Sequence, residues 1–494
     1  MKGRRIAAVV GGVALAGGAA LAVFLAARPV APSARFQPRP VAGQDLVLLP
    51  ESERPFSRVV IGLPPHGATG GNPMRGATDP RIVDVRRRIY ALDFELLQGK
   101  SMTAVPPYAT FYVAVPDPAT VPEASGEEEA DFRAYLASRL GWADETIRVR
   151  TRFFRVSRPI LYPQDMAEIL GRDGAGRLVL GVGGDTDSNY AEPVERIVRA
   201  FPDAFSVRRL EGLHVGGVNT EGGDVALSWL PDGSIGLLVG RHRAIRYLEG
   251  RTGKSLLGRP LAPEQIEEVR RAFSSAFFGV GVVIVGEGAL RDPSRGSEAL
   301  FHADMVVAAV RNATEALAFV PTYERPPVDA NSREVLPETF VRDVQKEYDL
   351  VAGQMEARGY RVVRLPFEDH PDRSPVNVSK FVEAASGRPV VLLAQYPEHR
   401  PPAPGVKSAM AQLQDAVVEV QERLDAWEAA PADAALARLD ASLRDAWREL
   451  DEAAASPNPL FDRQRALYEA NGLSVVPLPL FPSGEGGVHC LLLR

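Results

Sequence analysis

The sequence predicts an α/β fold. Short runs rich in β-branched residues recur along the chain and are typical of buried strands, and stretches with apolar residues at helical spacing lie between them. This alternation of strands and helices is the pattern of α/β proteins. Hydrophobic residues make up 45% of the 494 residues and charged residues 24%, so the chain has enough apolar material for a large core.

The N-terminus predicts export from the cytoplasm. Lys2, Arg4 and Arg5 precede an uncharged stretch of mainly Ala, Gly, Val and Leu over residues 6–27. This stretch is longer than the roughly 7–15 apolar residues of a typical signal peptide and close to the roughly 20 that span a bilayer. Residues 1–27 are therefore predicted to be a signal peptide or, with slight preference, an uncleaved membrane anchor. Because basic residues stay on the cytoplasmic side, the rest of the chain should be periplasmic or extracellular and contact the membrane only through this segment.

Residues 28–44 are predicted to be a linker, because they are rich in Pro and Ala and show no apolar period. Folded protein is predicted over residues 45–494. The predicted strands are residues 58–63, 109–115, 177–182, 234–239, 281–286, 316–320, 388–394 and 474–480. The predicted helices are residues 131–141, 191–201, 263–277, 337–359 and 461–472.

One segment, residues 406–453, departs from this alternation. Its apolar residues fall at helical spacing, Pro431 interrupts the pattern, and the spacing then resumes, which predicts a helical hairpin inserted in the α/β body. The apolar positions are Met410, Leu413, Val417, Val420, Leu424, Trp427, Leu436, Leu439, Leu443, Trp447 and Leu450. Packing against the body is the favoured role, and a lid or a partner surface is the alternative.

Charge and cysteine content exclude two classes of protein. The formal net charge is −6, whereas a nucleic-acid-binding protein normally carries a basic face. The chain has one cysteine, Cys490, so no intrachain disulfide is possible and the protein is not a disulfide-stapled secreted domain. Taken alone, Cys490 is most simply a small buried hydrophobe.

Motifs for metal and nucleotide binding fail on inspection. "DTDSN" (185–189) begins like a calcium loop, but Tyr190 stands where the loop needs Gly and Arg196 where it needs Glu. A polar turn is favoured there, with an irregular calcium site as the alternative. "GRTGKS" (250–255) lacks the first glycine of a phosphate loop, since that position is Leu248. The histidines show no zinc-ligand spacing, so no metal or other cofactor is predicted.

Four short stretches carry the candidate site. They are "LYPQDMAEI" (161–169) with Asp165, "NTEGGDVAL" (219–227) with Glu221, "LFHADMVVAAV" (300–310) with His302 and Asp304, and "GGVHC" (486–490) with Cys490. If "HAD" enters a strand, residues i and i+2 share one face, so His302 and Asp304 would project into the same site. The glycines permit tight turns or close approach to a ligand. Taken singly, each stretch also has a purely structural explanation. Asp165 could cap a helix, "EGGD" could be a hairpin turn, "HAD" could be a chance triplet, and Cys490 could be a buried thiol.

Together and in this order, the motifs resemble those of the guanidino-group-modifying (pentein) superfamily, and most closely those of the protein-arginine deiminases. The "QD", "HxD" and "G-x-[IV]-H-C" motifs of that family correspond here to Gln164–Asp165, His302 to Asp304, and His489–Cys490. "EGGD" resembles a stretch of the free-arginine and dimethylarginine hydrolases whose first acid orients the catalytic histidine. The resemblance implies that role for Glu221.

The resemblance also implies a fold, namely a five-bladed ββαβ propeller over residues 45–494. Two features depart from the family. The hairpin of 406–453 is not expected in it, and the calcium-binding architecture of the vertebrate enzymes has no clear counterpart in this sequence.

The chemistry of a guanidinium explains these residue types. The group is planar and cationic, so two carboxylates, Asp165 and Asp304, can bind and orient it. The Cys490 thiolate can then attack its central carbon, because a thiol is partly ionised near neutral pH. His302 would protonate the departing ammonia and then activate water, while Glu221 would fix the histidine tautomer. The product is a ureido group, which is citrulline if the substrate is arginine, and no step requires a metal.

Three functions stay open at this point. The leading one is deimination of arginine in proteins or peptides. The second is deimination of a small guanidine such as agmatine or free arginine, or amidino transfer from it. The third is a catalytically inactive binding module that uses the hairpin as a partner surface, although the presence of all four core residues argues against it.

Overall fold

The protein is a mixed α/β structure built on five small sheets. A computed structural model describes residues 37–66, 80–98, 101–160, 163–183, 191–213, 223–256, 260–288, 303–327, 335–369, 373–383, 386–396, 412–413, 415–419, 433–455 and 458–480. The strands are β1 (Arg39–Pro40), β2 (Val47–Leu48), β3 (Arg58–Gly62), β4 (Thr110–Pro116), β5 (Thr151–Val156), β6 (Glu168–Arg172), β7 (Leu178–Gly183), β8 (Phe205–Leu210), β9 (Val225–Trp229), β10 (Ile235–Gly240), β11 (Gly281–Val285), β12 (Ala308–Arg311), β13 (Ala316–Tyr323), β14 (Arg361–Phe367), β15 (Ser379–Val382), β16 (Pro389–Gln395) and β17 (Ser474–Pro479).

Helices connect these strands, and 3₁₀ turns precede three of them. The helices are α1 (Pro80–Gln98), α2 (Ser101–Ala104), α3 (Glu128–Ser138), α4 (Asp144–Arg150), α5 (Ala191–Ala200), α6 (Arg241–Thr252), α7 (Pro263–Ala276), α8 (Glu338–Ala357), α9 (Asp433–Ala455) and α10 (Pro459–Ala470). The 3₁₀ turns are Glu51–Glu53, Pro163–Met166 and Ala303–Met305.

Four of the sheets repeat one topology. In each, the first strand is antiparallel to the second, a helical connection follows, and the third strand is parallel to the second, which lies in the centre. These are unit two (β6–β8, extended by β1 and β2), unit three (β9–β11), unit four (β12–β14) and unit five (β15–β17). Unit one (β3–β5) differs, because α1 crosses between its first two strands and makes all three parallel.

The central strand of each unit is buried on both faces, and most of its residues are apolar. In β13, the side chains of Ala316, Ala318 and Val320 enter one hydrophobic cluster, while Leu317 and Phe319 enter another. Successive side chains of a strand point to opposite faces, so a continuous apolar run supplies two cores at once.

The hydrophobic clusters link the sheets in series. One cluster joins unit one to unit two, and others join two to three, three to four, and four to five. A further cluster contains β3 and β4 residues together with β15, β16 and β17 residues. Each unit therefore shares a core with two others, and the series returns to unit one.

The described part of the predicted hairpin packs on the body. Residues 412–413 and 415–419 are helical, and α9 follows. Their apolar face forms a cluster with α1 that contains Leu413, Ala416, Leu436, Leu439, Leu443, Leu450, Ile82, Val85 and Leu92. Arg88 pairs with Asp440 at 2.6 Å. The apolar residues in the described part of the hairpin thus pack against α1, while the choice between a packing role and a lid or partner surface stays a prediction.

The predicted strands and helices correspond to β3, β4, β7, β10, β11, β13, β16, β17, α3, α5, α7, α8 and α10, with shifts of a few residues. Residues 1–36 and 185–189 lie outside the described residues, so the anchor and the calcium-loop alternative stay predictions. In the part of the chain that the structure does describe, no helix is long and apolar enough to cross a membrane.

Candidate active site

The structure describes two of the five predicted catalytic residues. Asp304 is described in full, and Asp165 in its backbone. His302, Glu221 and Cys490 lie outside the described residues. Asp304 is thus the residue from which the site can be built.

Asp304 lies in the 3₁₀ turn Ala303–Met305, before β12 begins. Asp304 therefore does not meet the condition under which His302 and Asp304 would share one face of a strand, because the chain turns here before it extends. Whether both side chains enter one site stays a prediction, since His302 lies outside the described residues. The backbone N–H of Asp304 donates to the carbonyl of Gly223 at 3.2 Å. Gly223 follows Glu221 by two positions. The contact brings the "HAD" and "EGGD" stretches together.

A buried amide holds the Asp304 carboxylate. Asn377 Nδ2 donates to Asp304 Oδ2 at 2.8 Å. Asn377 is fully buried and Asp304 is 5% exposed, so the hydrogen bond is shielded from water. Such a bond fixes the plane of the carboxylate, as binding a planar cation requires. Asn377 comes just before β15, so the contact also joins unit four to unit five.

Asp224, the last residue of "EGGD", makes a second buried contact. Its carbonyl accepts from the Gly240 N–H at 2.7 Å, and its Oδ2 lies 3.3 Å from Arg243 Nε and 3.7 Å from His242 Nδ1. A Cβ atom at Gly240 would lie 1.8 Å from Asp224 Oδ1 and 3.2 Å from the Ala303 nitrogen. Only glycine fits this position, so β10 ends packed between Asp224 and the turn before β12.

The Asp165 turn begins unit two as the Asp304 turn begins unit four. Asp165 lies in the 3₁₀ turn Pro163–Met166, before β6. Its neighbours Gln164 and Met166 are 2% and 3% exposed. Gln164 Nε2 has no hydrogen-bond acceptor within the residues that the structure describes. Both residues predicted to bind the guanidinium, Asp165 and Asp304, therefore belong to turns that enter the first strand of a unit.

Sequence reasoning missed Asn377, Asp224 and the basic start of α6. Arg241, His242 and Arg243 occupy the first turn of that helix and are at most 8% exposed. Cations are unfavourable at a helix N-terminus, because the helix dipole is positive there. Three buried basic residues in that position thus signal a nearby carboxylate, which is Asp224.

A second buried histidine, His66, lies beside a serine and a carboxylate, the residue types of a hydrolytic triad. His66 Nδ1 lies 2.5 Å from Ser125 Oγ, and Nε2 lies 3.0 Å from Asp131 Oδ2. Glu128 Oε1 also lies 3.1 Å from Nδ1. Burial alone would lower the pKa of His66, but its hydrogen bonds to Asp131 and Glu128 raise it. A carboxylate oxygen lies within hydrogen-bond distance of each ring nitrogen, which favours the imidazolium, and an imidazolium cannot take a proton from Ser125.

No protein-family model matches the chain, and no curated protein matches its sequence. Among the described residues, no group of three His, Cys, Asp or Glu side chains is placed to hold a metal ion. The function must therefore be inferred from the motifs and from the contacts around Asp304.

Proposed function

We propose that the protein is a hydrolase that deiminates guanidino groups, with arginine in proteins or peptides as its substrate. The observation that carries this proposal is the hydrogen bond from Asp304 to Gly223, because it joins two of the four motif stretches in space. Asp304 and Gly223 are 81 positions apart in the sequence, so their contact is set by the tertiary fold and not by local structure. A catalytic constellation gathered from distant segments is what the guanidine chemistry needs.

The proposed architecture is a ring of five ββαβ blades. Two features of the fold support it: the strand order shared by units two to five, and the hydrophobic clusters that lead from unit one through each unit and back. In such a ring the turns before β6, β9, β12 and β15 would face a common centre. Asp165, Glu221, Asp304 and Asn377 belong to these turns or to the stretches that enter them.

The reaction begins with binding of the guanidinium by Asp165 and Asp304. Asn377 holds the Asp304 carboxylate in one plane, so both of its partners, the amide and the substrate, are oriented together. The Cys490 sulfur forms a bond to the central carbon, and one carbon–nitrogen bond breaks as His302 gives its proton to the leaving ammonia. A water molecule, deprotonated by His302, then adds its oxygen to the same carbon, and the carbon–sulfur bond breaks to regenerate the thiolate.

The setting of the protein favours a macromolecular substrate. Residues 1–27 are proposed to export or tether the chain, which would place the catalytic domain among extracytoplasmic proteins and peptides. Deimination of a small guanidine, or amidino transfer from it, would use the same carboxylates and thiol, and it is separated from the main proposal by substrate choice.

Purified full-length protein should release ammonia and citrulline from an N-acyl arginine amide. Free arginine, agmatine and each of these with an added amine acceptor serve as comparison substrates. Faster turnover of the blocked arginine supports a protein or peptide substrate, and faster turnover of agmatine or free arginine supports the small-guanidine alternative. No turnover of any guanidine by the wild type, or unchanged turnover in Cys490→Ala, would contradict the proposal.

A further inference from the structure

Four buried charged residues outside the proposed catalytic set form two ion pairs, called here the inner ion pairs. Arg54 Nη2 lies 2.5 Å from Glu168 Oε1, and Lys380 Nζ lies 2.7 Å from Glu51 Oε2. All four side chains are at most 6% exposed. Burial raises the pKa of Glu168 above its ordinary value despite the lowering effect of the Arg54 guanidinium, and the Glu51 carboxylate adds to the rise.

The first inner ion pair joins three units. Arg54 precedes β3 of unit one, and its Nε donates to the Leu49 carbonyl at 3.3 Å. Glu168 is the first residue of β6 in unit two. Its Oε1 also accepts from the Leu227 N–H at 3.4 Å, in the edge strand β9 of unit three. A single carboxylate thus binds a cation of one unit and an edge-strand amide of another.

The second inner ion pair and its neighbour reach the remaining units. Glu51 binds Lys380 in β15 of unit five. Glu53, in the same 3₁₀ turn as Glu51, accepts from Trp229 Nε1 at 3.1 Å and from Arg311 Nη2 at 2.9 Å. Trp229 belongs to unit three and Arg311 to unit four. Residues 51–54 therefore contact every other unit through polar side chains.

The partners of this segment follow the turns of the candidate site closely in sequence. Glu168 is three residues after Asp165, and Lys380 is three residues after Asn377. Leu227 stands at the same distance from Asp224. Because only two residues separate the members of each pair, a shift of the buried partner would move the site residue with it.

Stability does not explain why these four residues are charged. Moving an ion pair out of water is unfavourable, and an apolar pair of the same size is often equally or more stabilising. What an apolar pair lacks is a fixed direction and distance between its two members. We propose that the inner ion pairs are positioning groups that hold the turns of Asp165, Asp224 and Asn377 at fixed separations. This inference rests on the proposed function, because it assigns the turns to one catalytic site.

The test is the double variant Arg54→Met/Glu168→Leu in the full-length protein. We expect its thermal midpoint to stay unchanged or rise, while kcat/KM for the arginine substrate falls about 10- to 100-fold through kcat, as a small misplacement of reacting groups can cause. The matched control is Arg270→Met/Glu287→Leu. That pair lies within unit three at 2.7 Å and is about one-quarter exposed, so its loss should leave kcat/KM unchanged.

Hydrogen exchange supplies a readout that needs no activity. In the double variant, amides of residues 164–166 and 376–378 should exchange faster than in the wild type, and the strands should keep their protection. Wild-type turnover together with unchanged kcat/KM and exchange in the variant would overturn this inference while the proposed function stands. A wild type without turnover would refute the function, and the exchange result alone would then decide the positioning role.

Failure of that variant to fold would transfer the test to Lys380→Met/Glu51→Leu, with the same two measurements. Failure of both double variants to fold would overturn the inference, since the inner ion pairs would then be required for the fold itself.

Discussion

Two groups of buried charges in this molecule use the same chemistry for different ends. The inner ion pairs connect separate units at the strands that follow the candidate site. The cluster of His66, Glu128, Asp131 and Arg86 connects elements of unit one alone, namely the chain after β3, helix α1 and helix α3. What distinguishes the two groups is which units the paired residues belong to. A buried ion pair between units can fix the geometry of one unit relative to another, whereas a pair within one unit can only hold that unit together.

The charged groups of the His66 cluster also share their hydrogen-bond partners within unit one. In the His66 cluster each charge has several partners: Asp131 accepts from His66, from Arg86 and from Arg87. Burial alone would raise the pKa of Glu128, but hydrogen bonds from His66 and from the Ser125 N–H lower it to about 2. Such a network stabilises its own members, so its loss should lower stability without altering the site.

The largest expected effect is on the cluster of unit one. Asp131→Ala leaves the buried His66 and Arg86 and the exposed Arg87 without their shared carboxylate, and the two buried cations should make this cost about 3–5 kcal/mol of unfolding free energy. The measurement is equilibrium denaturation, and kcat/KM per folded molecule should match the wild type. A matching loss of kcat/KM would break the distinction between the two regions.

A smaller effect is expected at the site itself. Asn377→Leu keeps the approximate volume of the side chain and removes its hydrogen bond to Asp304. Without this bond the Asp304 carboxylate is held less firmly, so transition-state stabilisation should fall by about 1–3 kcal/mol, which is roughly a 10- to 100-fold loss of kcat/KM. Because the buried Asp304 carboxylate also loses its hydrogen-bond donor in the free protein, the unfolding free energy should fall by about 1–3 kcal/mol, so kcat/KM is measured per folded molecule. As a control, Asn471→Leu removes another amide, one that donates to the Leu467 carbonyl, and should leave kcat/KM at the wild-type value.

Asn377→Asp sharpens the same comparison through pH. At acid pH the introduced carboxyl group is protonated and can donate to Asp304 as the amide does, so activity should be retained. In the wild type, Asn377 Nδ2 and Asp304 Oδ2 are 2.8 Å apart, so the variant places two carboxyl groups at about that separation. As pH rises, both groups ionise and repel each other, so kcat/KM should fall relative to the wild type. A pH profile identical to that of the wild type would show that Asn377 has no part in the site.

The smallest effect concerns the pH dependence of stability. The folded pKa of His66 is raised, so its imidazolium contributes stability that is fully present below the unfolded pKa of about 6.5 and is lost as pH rises through the folded value. The unfolding free energy of the wild type should therefore fall relative to His66→Gln as pH rises above the unfolded pKa of about 6.5. Parallel curves for the two proteins would contradict the charged state assigned to His66.

Sequence reasoning found the strand that lies between the other two in every unit and missed most of the flanking strands, for a physical reason. The central strands β4, β7, β10, β13 and β16 are apolar on both faces, so their composition alone predicts them. Strands β6 and β15 each carry a buried charge, Glu168 or Lys380, whose partner lies in another unit. β8 carries exposed arginines such as Arg208. No local pattern reveals a charge that is buried only because of a distant partner.

The candidate site shows the same limit. The motifs identified Asp304 because its neighbours in sequence are distinctive, but nothing local distinguishes Asn377, which stands 73 residues from the carboxylate it binds. The basic start of α6 was readable from helix electrostatics, since Arg241, His242 and Arg243 at a helix N-terminus require an anion. Which anion it would be depends on the tertiary fold, and the structure identifies Asp224.

The most direct test of the central claim is the labelling of Cys490 by chloroacetamidine and by neutral chloroacetamide, followed by intact-mass measurement. If Asp304 binds a planar cation beside the thiolate, the cationic reagent should label Cys490 at least about tenfold faster than the neutral one, after correction for their rates with a free thiol. Asp304→Asn, which retains the size of the side chain, should abolish that preference. Equal labelling by the two reagents, or a preference that survives in Asp304→Asn, would contradict a guanidinium site formed by Asp304 and Cys490.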